Sequence, residues 1–455
     1  MERESLKSRL GFILLSAGCA IGIGNVWRFP YVVGNYGGGI FVLFYLFFLA
    51  VVGIPVLTME FAIGRASRKS TATAYQELEP KGTKWHWHSN FAIAGNYLLM
   101  LFYTTVCGWM MYYFYKFAVG GFSALDTTAA QGVFDTLLAS PGTMSLWMII
   151  TVVLGFGICS LGLQKGVEKI TKVMMLALLA LIVLLAIHAV RLNGGIEGVK
   201  FYLFPDINKI QDIGFFNLVT TAMNQSFFTL SVGMGSMMVF GSYIDKSQTL
   251  LKESVTISLL DTFVAVVAGL IIFPCCFAFN VEPDSGPSLV FKTLPNIFIE
   301  MKGGRFWGTL FFLFMTFASL STVIAVFENI LSCSMEKFNI SRKKAVIINI
   351  LVVAVLSLPC VFGFNLLSDF QPFGEGSTVL DFEDFLVSSI ILPTGSLLYI
   401  LFCTTKYGWG FDKYIEEANI GKGPKIPRWI KPYFKYILPI ILIVLILQGI
   451  ISKFI

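Results

Sequence analysis

Within residues 18–31 the chain sets Gly18, Gly22 and Gly24 around Asn25 and Arg28, an amide and a guanidinium inside a stretch long enough to cross a membrane. Glycine is about 1 kcal/mol worse than alanine in a helix interior, and unpaired backbone groups in hydrocarbon cost several kcal/mol each. A helix broken at mid-membrane resolves the conflict, because its freed carbonyls and amides can face a buried site instead of lipid. Such a site binds ions and small molecules. Hard backbone and side-chain oxygens suit a cation, and amides at the start of a half-helix suit an anion. A second polar, glycine-rich interruption runs over 224–236, and Asp261 lies in the middle of a further apolar run. A carboxylate there must be paired with a cation or protonated.

These residues sit in a chain of 455 residues that is 56% hydrophobic and 13% charged, with a mean hydropathy of +0.77. Soluble domains are about one quarter charged, so the composition predicts an all-α polytopic membrane protein. Apolar runs long enough for a hydrocarbon core of about 30 Å fall near 11–35, 39–62, 89–118, 145–161, 168–190, 216–240, 254–280, 306–336, 344–363, 378–403 and 432–452, eleven spans. The net charge of +6 is spread over short segments between these runs, which points to topology and not to nucleic acid. Arg65, Arg68, Lys69, Lys165, Lys169, Lys172, Lys246, Lys252, Arg342, Lys343 and Lys344 all fall in loops that are inward if the N-terminus is cytoplasmic, while 364–383 holds acids and no lysine or arginine. That asymmetry follows the positive-inside rule, and an odd span count places the C-terminus outside. Arg3, Lys7 and Arg9 lead directly into the first run without an early cleavage pattern, so that run is expected to stay in the protein. The eight cysteines show neither metal-type nor loop-paired spacing, and no organic cofactor is indicated.

The two interruptions lie five spans apart, the pattern of a 5+5 inverted repeat with discontinuous helices 1 and 6. The expected organisation is a cytoplasmic N-terminus over 1–10, a first repeat over 11–190, an extracellular loop over 191–215, a second repeat over 216–403, a cytoplasmic loop over 404–431, and the last span with the C-terminus over 432–455.

At these residues the chain resembles the neurotransmitter:sodium symporter family, and most of all its bacterial amino-acid transporters. The resemblance rests on Arg9-Leu10-Gly11, Gly24-Asn25-Val26-Trp27-Arg28-Phe29-Pro30-Tyr31, Asn35-Tyr36-Gly37-Gly38-Gly39, Gly53-Ile54-Pro55 with Glu60, Phe227-Phe228-Thr229-Leu230-Ser231 and Ala318-Ser319-Leu320-Ser321-Thr322. It implies sodium-coupled uptake by alternating access, with two sodium ions. One would be held by the Ala20 carbonyl, Asn25, Thr229 and Asp261, the other by the Gly18, Ile21 and Ala318 carbonyls and the Ser321 and Thr322 hydroxyls. For Ser321 and Thr322 taken alone, helix–helix hydrogen bonding is the commoner explanation. Many members place Asn at Asp261 and balance charge with chloride or with a Glu one turn later; this chain has Ala265 there. A single carboxylate doing both jobs would make transport chloride-independent.

The resemblance also implies an amino-acid site. Gly22, Ile23 and Gly24 would cradle the α-carboxylate with the Tyr103 hydroxyl, and the α-amino group would meet Ala20, Phe228 and Ser231. Members that carry amines without a carboxylate have Asp where this chain has Gly22. Leu99, Phe228, Met234 and Val326 would line the side-chain pocket, with Thr322 at its edge. Met234 stands where a leucine-type relative has Phe, which favours a large aliphatic or aromatic substrate. An outer gate would pair Arg28 with Asp384 above Tyr103 and Phe228, and an inner gate would pair Arg3 with Glu336 beside Tyr243. The family commonly has Trp at the position of Leu6. Membrane lipids and the amino acid are the expected partners, and a bacterial plasma membrane the expected location. The sequence leaves the oligomeric state open. Other readings are a transporter for another small amino acid, a transport-inactive sensor, a channel and a membrane enzyme. The histidines, His86 and His88 in an inward loop and His188, come with no nucleophile–base set, and a channel needs a symmetric ring of ligands.

Overall fold

The computed structural model describes residues 5–123, 125–205, 214–281 and 287–454. Among these the regular elements are all helices, with no strand. Nine helices are long and apolar enough to cross a membrane, and the pair Arg9–Ala20 and Gly24–Asn35, bent by 57° at its break, passes the same test as one unit. In the order expected from the sequence, segment 1 is this broken pair and segments 2 to 5 are Gly39–Ser67, Trp87–Ala118, Pro141–Ser160 and Leu163–Val190. Segment 6 is again a pair, Phe215–Thr229 and Ser236–Gly241, each too short to cross alone and separated by residues 230–235. Segments 7 to 11 are Leu250–Ala278, Gly304–Phe338, Arg342–Phe362, Val379–Thr404 and Arg428–Ile451. The described residues thus supply ten candidate spans when the bent pair is taken as one, and segment 6 occupies the place of the remaining expected one.

Local chemistry fixes the helix ends. Ser8 caps segment 1, its hydroxyl accepting the Gly11 N–H at 3.0 Å, and Thr378 with Asp381 forms a reciprocal capping box at the start of segment 10. Such caps satisfy amides that have no partner in the helix. Of the short helices that lie in loops, two are Gly195–Leu203 and Phe411–Ala418. The first falls within the expected loop over 191–215, the second within that over 404–431.

Segment 8 is the most enclosed span, with 83% of its most apolar stretch buried, whereas segment 11 has 28%. Side chains such as Ile440, Ile443, Val444 and Leu447 leave segment 11 exposed at the edge, as suits a helix that faces lipid. Carboxylates tie the segment ends together. Glu168 at the start of segment 5 accepts the Lys7 and Ser8 amides at 2.7 and 3.1 Å, Glu253 pairs with Arg9 at 2.7 Å, and Glu417 pairs with buried Arg65 at 2.7 Å and with Lys246 at 3.0 Å. The carboxylates and Arg65 are buried while Arg9 and Lys246 reach water, and buried charges persist only when paired and hydrogen-bonded. His88, expected in a loop, is instead buried in the first turn of segment 3 between the rings of Tyr75 and Tyr399, a position its apolar faces can occupy.

Candidate functional site

The break in segment 1 is held by its own Asn25 and by side chains from segments 6 and 7. Asn25, fully buried, accepts the Gly22 N–H through Oδ1 at 3.3 Å. Its amide nitrogen donates to Thr229 Oγ1 at 3.1 Å and to Asp261 Oδ1 at 2.8 Å. Thr229 in turn donates to Asp261 Oδ2 at 2.7 Å. Asp261 is itself wholly buried, and among the described residues no lysine, arginine or histidine pairs with it. Asn25, Thr229 and Asp261 are thus brought together as the sequence implies, with Ala20 ending the first half-helix beside them. A buried carboxylate met only by an amide and a hydroxyl is a donor set that fits a small hard cation.

The second expected ion site is equally concrete. Thr322 Oγ1 lies 3.2 Å from the Gly18 carbonyl oxygen, 3.4 Å from that of Ile21 and 3.5 Å from that of Ala318. Cys19 O stands at 3.5 Å as well, and Ser321 donates to Ala318 O at 2.9 Å. Ser231 also donates to the Cys19 oxygen at 3.3 Å and Ser321 serves that of Ala318, but the one Thr322 proton cannot serve both Gly18 and Ile21 as well, so the cluster carries surplus negative potential. That surplus is what a cation would satisfy.

Between these oxygens lies a cavity of about 20 Å³ bordered by Ala20, Gly22, Gly24, Leu99, Tyr103, Phe228, Ser231, Met234 and Thr322, all expected from the sequence, and by Asn25, Cys19 and Leu392. Such a volume holds about one water molecule, so a larger ligand is admitted only when the walls move. The Tyr103 hydroxyl accepts the Ile23 N–H at 3.1 Å. A Cβ on Gly22 would stand 2.4 Å from that hydroxyl and 2.8 Å from Thr322 Oγ1, so only glycine leaves the cradle open. Val326, also expected to line the pocket, is buried in segment 8 but does not border the cavity. The missing members, Cys19 and Leu392, carry no sequence signal; each is an ordinary apolar residue in an apolar run.

Segment 6 breaks over residues 230–235, where Ser231 adopts a φ of 51°, Gly233 110° and Gly235 85°. A serine in the left-handed region stores strain, which persists only when the surroundings impose it. Here Glu60 of segment 2 imposes it, accepting the N–H groups of Gly233 at 2.9 Å, Met237 at 3.0 Å and Met238 at 3.3 Å. Asn96 donates to Met234 O at 2.7 Å and Thr71 to Gly235 O at 2.9 Å.

The gates are arranged differently from the sequence expectation. Arg28 does not pair with Asp384 within 4 Å; its guanidinium lies 4.4 Å from the centre of the Phe228 ring, and Asp384 accepts a hydrogen bond from Ser388 at 2.7 Å. An arginine over an aromatic face is a stable alternative to an ion pair. Arg3 lies outside the described residues. Glu336 accepts the Ser70 hydroxyl at 2.6 Å and the Thr73 hydroxyl at 2.8 Å. Tyr243 donates to Glu328 at 3.1 Å and shares a 2.6 Å hydrogen bond with Ser332. Glu328, buried in segment 8, takes both arms of Arg342 at 2.7 and 3.0 Å. That pair lies outside the sequence expectation, although a lone acid inside an apolar run is its signal. Tyr243, Glu336 and Arg342 border a cavity of about 650 Å³, far larger than the central one.

Known proteins share this architecture. The sequence model of the Sodium:neurotransmitter symporter family matches residues 3–121 and 129–454. The chain is 32% identical over 447 residues to YhdH, an uncharacterized sodium-dependent transporter of Bacillus subtilis, covering 98% of each protein. It is 34% identical over 465 residues to an uncharacterized sodium-dependent transporter of Methanocaldococcus jannaschii, covering 97% of this chain and 89% of that one. Its structure is similar to the crystal structure of MhsT in complex with L-phenylalanine, with a TM-score of 0.87 and 34% identity over 98% of this chain and 100% of that chain.

Proposed function

The chain belongs to the sodium:neurotransmitter symporter family of sodium-dependent transporters, and from that premise we propose that it couples sodium entry to uptake of a hydrophobic L-amino acid, aromatic or large aliphatic, without chloride. It is a transporter and not an enzyme. In this reading the eleven segments all span a plasma membrane, with the N-terminus in the cytoplasm. Sodium is cargo here. One ion is taken by Ala20, Asn25, Thr229 and Asp261, the other by Gly18, Ile21, Ala318, Ser321 and Thr322.

The observation that carries the reading is the Gly22 cradle. Amides at a half-helix start, next to the Tyr103 hydroxyl bonded to Ile23 N–H, favour an anionic group, and a side chain at position 22 would fill the space. A free α-carboxylate answers that chemistry. Leu99, Phe228 and Met234 give the rest of the cavity an apolar wall, and the structural relative that binds L-phenylalanine supports the same substrate class. Asp261 supplies the negative charge that chloride would otherwise bring.

Thr322 borders the cavity and also faces three carbonyls of segment 1, while Asn25 borders it and contacts Asp261. Ion and substrate therefore share walls, and each ordered by one favours the other. Alternating access then requires the Arg28–Phe228 lid to part on one side, and the Tyr243–Glu328–Arg342 network with Glu336 on the other.

The test is binding of the common amino acids to purified protein in sodium chloride, sodium gluconate and potassium gluconate. Saturable binding of a hydrophobic amino acid in both sodium salts and none in potassium is the expected result. A preference for a carboxylate-free amine, or a need for chloride at fixed sodium, overturns it. Accumulation of the bound amino acid against its gradient in vesicles separates a transporter from a channel or a sensor.

A further inference from the structure

We infer that Leu392, on segment 10, sets the largest side chain the central site accepts. The inference rests on the reading of that site as an amino-acid pocket and adds a wall to it that neither the sequence nor the family resemblance assigns. Leu392 is 3% exposed and borders the same cavity as Tyr103, Phe228, Ser231 and Met234.

Three features make its volume, and not its displacement, the controlling quantity. First, the backbone of segment 10 is pressed against the unwound stretch of segment 6. A Cβ on Gly233 would lie 2.2 Å from the Leu392 carbonyl oxygen, and one on Gly395 would lie 1.9 Å from the Gly233 carbonyl oxygen. Residue 392 has no room to move towards segment 6. Second, its own turn is irregular. The helix widens over Leu386–Ile391, the Leu392 N–H reaching back to Val387 O, and Pro393 follows with no N–H to give. Widened turns of this kind recur at functional sites, where they aim a residue that a regular helix would not. Third, the packing beside it is tight. A Cβ on Gly95 would lie 2.7 Å from Ile391 and 3.4 Å from Met234, so the turn that carries Leu392 is also held against segment 3.

Interior packing is dense enough that one methylene is felt, and a pocket discriminates one methylene by roughly 10-fold or more. A smaller residue at 392 therefore admits a bulkier substrate, and a larger one excludes it.

The experiment compares sodium-dependent binding of L-tryptophan, L-phenylalanine and L-valine by the purified full chain, as wild type, Leu392→Val, Leu392→Ala and Leu392→Phe. Expressing the result as a ratio of affinities within each variant removes differences in the folded fraction. Leu392→Ala should raise the tryptophan-to-valine affinity ratio roughly 10-fold, Leu392→Val should raise it less, and Leu392→Phe should lower it by a similar factor. The concentration of sodium giving half-maximal binding should stay within about twofold throughout. A ratio unchanged in all three variants, or a fall in sodium affinity that accounts for the whole change, overturns the inference. If the wild type binds none of the three amino acids with sodium, the proposed function fails instead, which is a distinct outcome.

Discussion

The two helix breaks at the centre of the molecule resemble each other in sequence and differ in how their free backbone groups are used. In segment 6 the break is braced. Glu60 takes three amide N–H groups, and Asn96 and Thr71 donate to the carbonyls of Met234 and Gly235. In segment 1 the carbonyls of Gly18, Cys19 and Ile21 crowd the Thr322 hydroxyl, with Ser231 as a second donor to Cys19, and among the described residues Asp261 is met by the side chains of Asn25 and Thr229 alone. The stretch 233–238 of segment 6 is braced by the protein, and the segment 1 break is left with unsatisfied acceptors, the capacity that the proposed function uses for ions and substrate. A polar interruption is thus a binding site only where the scaffold leaves it unsatisfied.

The most drastic way to break this contrast is to remove the brace. Glu60→Ala leaves three buried amides without an acceptor, at about 1–3 kcal/mol each, and should lower the melting temperature of the purified protein sharply while abolishing substrate binding. If Glu60→Ala melts like the wild type, the bracing role is wrong. Arg28→Ala comes next. Arg28 belongs to the segment 1 break yet lies over Phe228 of segment 6, so it links the two. Uptake should vanish while the protein still reaches the membrane in wild-type amount; uptake at the wild-type rate would show that the lid needs no cation.

Asp261→Asn sharpens the contrast by asking what balances charge at the unsaturated break. Two unit charges 4 Å apart at an effective dielectric of 20 attract by about 4 kcal/mol. Sodium affinity, read from the sodium dependence of amino-acid binding, should therefore fall by up to about 1,000-fold. Chloride should then stimulate binding in the variant and leave the wild type unaffected. Equal chloride responses in the two proteins would remove Asp261 from the charge balance.

Much of this contrast is legible in the sequence. Glycines beside Asn25 and a carboxylate at 261 are costly in a membrane helix, and cost is what makes a residue readable. Glu60 is visible in the same way, yet its partners are main-chain amides 173 to 178 residues away, and no side-chain pattern marks them. The Arg28–Asp384 pair expected from the resemblance depends on a conformation, and here a ring takes the guanidinium. Val326 and Leu392 show the limit most plainly. Both are aliphatic residues in apolar helices, and only the 57° bend of segment 1 and the close approach of segment 10 to segment 6 decide which one borders the cavity.

The mildest prediction tests whether the two ion positions around segment 1 differ in kind. The Thr322 cluster is built of neutral oxygens, with no carboxylate among the atoms facing its hydroxyl. Thr322→Ala removes one neutral ligand, so the loss should be near that of one hydrogen bond, about 1 kcal/mol, or several-fold to 10-fold in sodium affinity. Chloride should have no effect on this variant, because no charge was removed. Thr322→Ser keeps the hydroxyl and should restore sodium affinity. By reciprocity, the factor by which bound sodium raises the affinity for the amino acid in this variant equals the factor by which the amino acid raises that for sodium, which a two-way titration of sodium against substrate reads directly. Should Thr322→Ala instead cost 100-fold and respond to chloride, the two positions would share one electrostatic pool, and the division between a charged and a neutral ion site would not hold.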